Sequence, residues 1–298
     1  MYLIYAVLAI FFIIVFFYIR KKIKKYKLIY KTNGFDGIYY YFINKNSHKI
    51  GLSNFIDKKK NILGKKISKY SKQKILSGPY IGTKIIYSSG WSNIDFAPKY
   101  LGTYEKQVQE QIIFLKKKFK LTYFVDLGAA EGYHLVSLLK KKIFKTGQAY
   151  EIEKISRDIL LKNATINKVN KQISIHSEAN FNSLKINLKN INQKKILFLV
   201  DIEGGEFDLF NEEFCKYFSK SFFIIEDHSF NILNKNKISN FYNNINKYFK
   251  LFKIKDNSKN PFEFSILDDF SDDEKYLMMS EGRPKTMQWI ILYPKKIK

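Results

Sequence analysis

Phe124-Val-Asp-Leu-Gly-Ala-Ala-Glu-Gly132 sets an apolar run, an acid and two glycines within nine positions. The apolar run reads as a strand, Gly128 and Gly132 as a tight turn, and the apolar pattern from Tyr133 as a helix start. Where side chains are absent, a ligand can lie directly against the backbone. Asp126 and Glu131 flank the turn. Later strand-like runs also end in acids: Glu151, then Asp201 and Glu203, then Glu226 and Asp227, with His228 directly after. One acid at a strand end is commonly a helix cap or a turn former. Acids at four successive strand ends point to a shared ligand site.

The glycine spacing separates two ligand classes. A dinucleotide fold uses G-x-G-x-x-G to bring helix-terminal amides onto a pyrophosphate. Here the turn is Gly128-Ala-Ala-Glu-Gly132, a G-x-x-x-G. Carboxylates at Asp126 and Glu131 would repel a pyrophosphate and suit a cationic ligand. S-adenosylmethionine fits, with its sulfonium, its amino group and two ribose hydroxyls. Glu151 follows the glycines by about 20 residues, where an acid reaches ribose hydroxyls. His228, of a type that titrates near 6.5 when unperturbed, is the first candidate for a general base, and Asp201 the second. The plainer alternative for His228 is a strand-end residue bonded to structure. Asp201, Glu203 and Glu226 could together hold a divalent ion, but the same carboxylates suit a cationic cofactor, and no metal is expected.

These residues need a scaffold that brings strand ends together. Strands are expected over 123–127, 148–152, 173–176, 195–202, 221–226, 248–254 and 289–293, with a short one at 84–87. Helices are expected over 105–118, 133–142, 232–249 and, capped by Ser156, to about Asn167. KILFLVDI (195–202) is apolar throughout, as a strand buried on both faces must be. Strands alternating with helices predict an α/β fold, a Rossmann-like, mostly parallel sheet with helices on both faces. Ligands in such sheets bind at the strands' carboxyl ends.

Tyr2–Ile19 (YLIYAVLAIFFIIVFFYI) carries no charge and Arg20-Lys-Lys-Ile-Lys-Lys25 follows it. At 1.5 Å per residue the run reaches about 27 Å, close to a bilayer's hydrocarbon core. The charges follow the apolar run, unlike those of a secretory signal, so a single-pass anchor with the rest of the chain in the cytoplasm is expected. The expected division is an anchor over 1–20, a juxtamembrane or accessory region over 21–77 and one domain over 78–298. The net charge of +25 suggests polyanion binding. However, the lysines are scattered along the sequence, and the skew toward Lys, Asn, Ile, Tyr and Phe is what AT-rich coding gives. A solvated basic surface is the preferred reading. Cys215 is the only cysteine, so no intrachain disulfide forms.

VDLGAAEGY resembles motif I of the class I S-adenosylmethionine-dependent methyltransferases. AYEIE and the following helix ending NATIN, together with FLVDIEGGEFDLF, resemble segments of the FkbM-like members. So do Leu101-Gly-Thr-Tyr-Glu105, Phe223–His228 and Glu281-Gly-Arg-Pro-Lys-Thr-Met-Gln-Trp289. The resemblance covers about 78–298, and Ile152 departs from the family's usual Pro. It implies that Asp126, Gly128, Ala130, Glu131 and Gly132 line the cofactor, with Glu151 on the ribose and Asp201 near the transferred methyl. Glu105, Glu203, Glu226 and Arg283 become candidates for holding substrate. It also implies an O-methyltransferase acting on a glycan, glycolipid or related small acceptor. Nucleic acid is disfavoured as a partner, because Asp201-Ile-Glu-Gly replaces the N/D-P-P-Y of amino-methylating enzymes. A non-catalytic, membrane-tethered binding protein of the same fold and a nucleic-acid methyltransferase are the alternatives.

Overall fold

The computed structural model describes Arg20, Ile23, Lys27 and residues 52–86, 93–283 and 285–295. Among the described residues no helix is long and apolar enough to cross a membrane; the expected span at Tyr2–Ile19 lies outside them. The chain divides into two compact units, Met1–Lys59 and Lys60–Lys298. The second carries the sheet, and it includes residues 60–77, expected from the sequence to belong to an accessory region.

The elements in chain order are α1 (Leu52–Tyr70), α2 (Phe96–Leu101), α3 (Lys106–Phe119), β1 (Tyr123–Leu127), α4 (Tyr133–Lys140), β2 (Thr146–Tyr150), α5 (Lys154–Ile166) and β3 (Ile173–His176). They continue with α6 (Phe181–Asn187), β4 (Ile196–Val200), α7 (Glu206–Leu209), α8 (Glu212–Tyr217), β5 (Phe222–Glu226), α9 (Lys235–Tyr248), β6 (Phe249–Lys255), α10 (Asp272–Met279) and β7 (Gln288–Pro294). One seven-stranded sheet has the order β3-β2-β1-β4-β5-β7-β6. β1 to β5 pair in parallel, and β7 runs antiparallel between β5 and β6. This is the mostly parallel, Rossmann-like α/β sheet that the alternation of elements predicts.

Side chains alternate strictly across the strands. Phe124, Leu197, Leu199, Ile224 and Ile291 share one buried cluster with Leu63 and Ile67 of α1, Val108 and Ile112 of α3, and Leu160 of α5. Val125, Leu127, Phe198, Val200, Ile225 and Leu292 share the other with Phe214 of α8 and Phe241 and Ile245 of α9. Both faces are therefore covered, which is why β4 and β5 are apolar at nearly every position.

Several expected boundaries move for local reasons. β4 stops at Val200 because Asp201 and Ile202 turn toward Gly204 and Gly205. Ser156 does not cap α5: the capping position is Glu153, and Ser156 lies buried within the first turn. α9 starts at Lys235 rather than Ile232, behind Asn234, whose Oδ1 accepts from the backbone of Asn236 and Lys237. No strand forms at Lys84–Ile86 beyond a single bridge to Lys74. The Lys84 and Ile86 amides donate to the side chains of Asn167 and Asn163 at 3.0 and 2.9 Å, and Tyr87 lies outside the described residues.

The β1 and β4 ends meet where strand order reverses, the usual ligand crevice of such a sheet. Gly128 has φ +84°, and a Cβ there would stand 1.7 Å from the Asp201 carbonyl oxygen. We expect Gly128→Ala to lower stability by about 2 kcal/mol or more, through both the left-handed backbone and the clash. Thermal unfolding checks this.

Candidate active site

The first turn is built from the backbone. Gly128 and Ala129 donate their amides to the Tyr150 carbonyl at 2.8 and 3.1 Å, tying the turn to β2. The Ala130 amide donates to Glu151 Oε2 at 2.8 Å, and the Glu153 amide donates to Oε1 of the same carboxylate at 2.8 Å. Glu151 is thus fixed across the gap between the β1 turn and α5. Ala130, Glu203 and Glu105 all have left-handed backbones, with φ of 43°, 51° and 46°. For non-glycine residues such conformations are uncommon, and they gather at functional sites.

A cavity of about 660 Å³ opens over these strand ends, within the range of small-molecule sites. Gly128, Ala130, Glu151, Asp201, Glu203, Glu226, His228 and Arg283 line it, with Tyr150, Ile202, Phe230 and Met287 among its apolar wall. Among the described residues its other acids are Asp95, Glu153, Glu178 and Glu281, against Lys99 and Arg283 as permanent cations. Both cations are already engaged. Lys99 pairs with Glu131 at 2.6 Å and Asp95 at 3.5 Å. Burial works against its charge, but Glu131 and Asp95 outweigh it and raise its pKa.

Arg283 is more heavily committed. Its Nε donates to Glu281 at 2.9 Å, and its two terminal nitrogens donate to Glu226 and Glu105. Its guanidinium lies 5.2 Å from the Trp289 ring centre. Glu105 is further held by His134 Nε2 at 3.0 Å, whose Nδ1 meets the Tyr80 hydroxyl at 3.0 Å. Burial alone would raise the Glu105 pKa, but the His134 bond and Arg283 hold it at about 2.

Three other acids go the other way. Burial, opposed by His134 and aided by Asp201, pushes Asp126 up to about 7. Asp201 keeps 33% of its side chain exposed, and burial and then Glu105 push it up to about 6. Glu226 rises too, through burial and Asp201, against Arg283. Acids outnumber permanent cations along the described wall, and the raised pKa values mark the cost of crowding them.

His228 stands over Asp201, Glu203 and Glu226, its Nε2 at 3.7, 3.6 and 3.9 Å from their oxygens. Its Nδ1 meets Glu206 Oε1 at 3.1 Å, and Glu206 Oε2 accepts from the Gly204 amide at 2.9 Å. Glu206 is 1% exposed and holds the ring so that Nε2 faces the cavity. Burial lowers the His228 pKa, but Glu206, Asp201 and Glu203 together raise it. Asp201, Glu226 and His228 also offer ligand atoms within 4.8 Å of one another, a set able to hold a divalent cation.

Of the residues singled out in the sequence, Gly128, Ala130, Glu151, Asp201, Glu203, Glu226, His228 and Arg283 come together at one cavity. Asp126 and Gly132 are buried beneath the turn. The carboxylates of Glu131 and Glu105 are turned into ion pairs with Lys99 and Arg283. Arg283, expected to hold substrate, spends its donors on protein acids. Glu206, Glu281, Lys99 and His134 were not singled out. Glu206 and Glu281 had a signal, since they end the Asp201-Ile-Glu-Gly-Gly-Glu206 segment and open the Glu281–Trp289 segment; Lys99 and His134 had none.

No family model and no curated protein matches the sequence. Solved structures similar to the chain include an O-methyltransferase from Bacillus cereus in complex with SAH (12% identity, 62% of this chain and 79% of that one, TM-score 0.44). Another is the O-methyltransferase TomG from Streptomyces achromogenes in complex with SAM (8% identity, 70% and 92%, TM-score 0.44). A putative tRNA (m1A22) methyltransferase from Streptococcus pneumoniae is a third (11% identity, 65% and 72%, TM-score 0.41). At these identities and TM-scores the functional reading rests on the site's own geometry.

Asp126 and Arg283 supply opposite predictions. An acid whose pKa is raised by folding contributes stability that is full below its unfolded value, near 3.8, and lost as pH rises through about 7. Asp126→Asn should therefore stabilise the fold at pH 7.5, on the order of 2 kcal/mol, with little effect at pH 3.5. Arg283→Met should destabilise it by about 3–5 kcal/mol, because Glu105, Glu226 and Glu281 lose their shared counterion. Denaturant unfolding at both pH values measures each.

Proposed function

We propose that the chain is an S-adenosylmethionine-dependent O-methyltransferase of FkbM-like type. In this reading it is held to the membrane by Tyr2–Ile19, with its catalytic domain in the cytoplasm, and acts on a glycan or related small acceptor. One observation carries the cofactor: a glycine turn with a fixed carboxylate, Glu151, opens on a cavity whose free charge is negative. Such a wall attracts a sulfonium and an amino group and repels a pyrophosphate.

Bound there, S-adenosylmethionine would supply an electrophilic methyl group. The rest falls to the chain. Gly128 and Ala130 let the ligand approach the backbone, Glu151 offers its carboxylate to ribose hydroxyls, and Asp201 faces the cationic end. Tyr150, Ile202, Phe230 and Met287 exclude water from the cavity wall. His228 Nε2 accepts the acceptor's hydroxyl proton, and Glu206 on Nδ1 keeps the ring in the required tautomer and stabilises the imidazolium that forms. His228 works as a base only when neutral, and its raised pKa places the rising limb of the rate profile above pH 6.5.

Cells making the chain should contain a glycan or small molecule heavier by one methylene group than in cells without it, and His228→Ala should abolish that product; mass spectrometry reads both. An unchanged product profile with and without the chain contradicts the assignment. With an acceptor in hand, Glu206→Gln should shift the rising limb of kcat to lower pH, because a carboxylate that raises the His228 pKa is gone, and should lower the plateau about tenfold or more.

A further inference from the structure

In the connections between β1 and β5, lysines and acids are sorted to opposite ends of the sheet. β1 to β5 are parallel, so every helix-to-strand connection lies at the strands' amino ends and every strand-to-helix connection at their carboxyl ends. The helix-to-strand connections are 120–122, 141–145, 167–172, 188–195 and 218–221; they carry one, three, two, three and one lysine, and no acid. The strand-to-helix connections are 128–132, 151–153, 177–180, 201–205 and 227–234; they carry one, two, one, two and one acid, and no Lys or Arg. β7 runs antiparallel, which brings Lys250 and Lys295 to the lysine end and leaves Lys255 at the acid end.

Helix dipoles do not account for this sorting. A base in a helix's last turn complements the dipole, but the effect fades within that turn. Lys145, Lys171 and Lys194 stand five or more residues beyond α4, α5 and α6, the latter two within three-residue 3-10 turns too short to carry a macrodipole. All three are exposed, and among the described residues none of the ten lysines in these connections is in an ion pair. Five adjacent strands spaced about 4.8 Å apart give a face roughly 20 Å wide.

The chemistry of the face selects its partner. It has no arginine to grip a phosphate bidentately. The aromatic residues of these connections, Phe144 and Phe218, are buried and present no ring on which bases could stack. A broad array of point-charge ammonium groups suits the diffuse negative charge of lipid headgroups, and the apolar Tyr2–Ile19 with its trailing Arg20–Lys25 reads as a tether to a bilayer. We propose that this lysine face docks on an anionic phospholipid bilayer. The acidic cavity then opens away from the membrane. It is separated from the headgroups by at least a five-residue strand, about 17 Å, beyond the Debye length of about 8 Å at physiological salt. If the cavity is the methyltransferase site proposed above, its acceptor arrives from the aqueous side and is not a headgroup of the same bilayer. The docking itself does not depend on that reading.

The full chain is placed in vesicles of phosphatidylcholine alone, or with about 30% phosphatidylserine, both carrying a spin-labelled quencher lipid. A fluorophore is attached in turn through Lys141→Cys at the lysine face and Glu178→Cys at the cavity mouth; the native Cys215 is buried. Quenching at position 141 should be at least twofold stronger with phosphatidylserine and should relax in high salt, while position 178 stays unquenched in both. Equal quenching at 141 in the two vesicle types, or stronger quenching at 178 than at 141, overturns the proposal. Salt-sensitive binding of a labelled single-stranded RNA, with position 141 indifferent to phosphatidylserine, overturns it in favour of nucleic acid. Loss of the proposed cofactor binding, with the quenching pattern intact, would remove the function and leave the docking.

Discussion

A single buried guanidinium holds the acidic end of this sheet together. Arg283 joins Glu105 before α3, Glu226 at the end of β5 and Glu281 in its own segment. These groups come from parts of the chain up to 178 residues apart. Buried ion pairs rarely add much net stability relative to a well-packed apolar substitute, but breaking one leaves uncompensated charge, so they fix arrangement more than they stabilise it. The segment before α3 and the segment before β7 are thereby fastened to the end of β5. His134 and Tyr80 extend the same chain of contacts to α4 and to the turn near Gly78.

The acids left over define what the cavity can accept. Glu105 is compensated and its pKa falls; those of Asp126 and Asp201 rise, and burial and Asp201 raise that of Glu226 in spite of Arg283. Such a cluster is unfavourable without a ligand and becomes favourable when a cation enters. The strained backbones of Ala130, Glu105 and Glu203 sit at the same end, so local stability is given up where binding would recover it. The opposite end of the sheet carries the complementary sign, in lysines. The two ends differ because one holds every strand-to-helix connection of β1 to β5 and the other every helix-to-strand connection.

The local parts of this arrangement were legible in the sequence. Tyr123–Leu127 is a strand at the expected residues because its apolar run is closed by Gly128, and the acids fell at strand ends because polar residues cannot continue a doubly buried strand. The capping box at Ser271 and Glu274 that starts α10 was readable too, as S-x-x-E, but was not singled out. What the sequence does not show is long-range pairing. Nothing near Arg283 tells that its donors are spent on Glu105 and Glu226, and nothing near Glu131 points to Lys99. The lysines of the helix-to-strand connections read as scattered because their common end of the sheet exists only once β1 to β5 lie parallel. α1 escaped notice because its apolar positions are interrupted by a dense run of lysines.

The function proposed for this chain requires the glycine turn and its carboxylates to hold a sulfonium cofactor. Calorimetric titration of S-adenosylmethionine into the full chain addresses this most directly, beside the Glu151→Gln variant. The predicted result is binding in the micromolar range or tighter for the native chain, at least tenfold weaker in the variant. Absence of heat from a folded native sample, or equal affinity in the two, would contradict it.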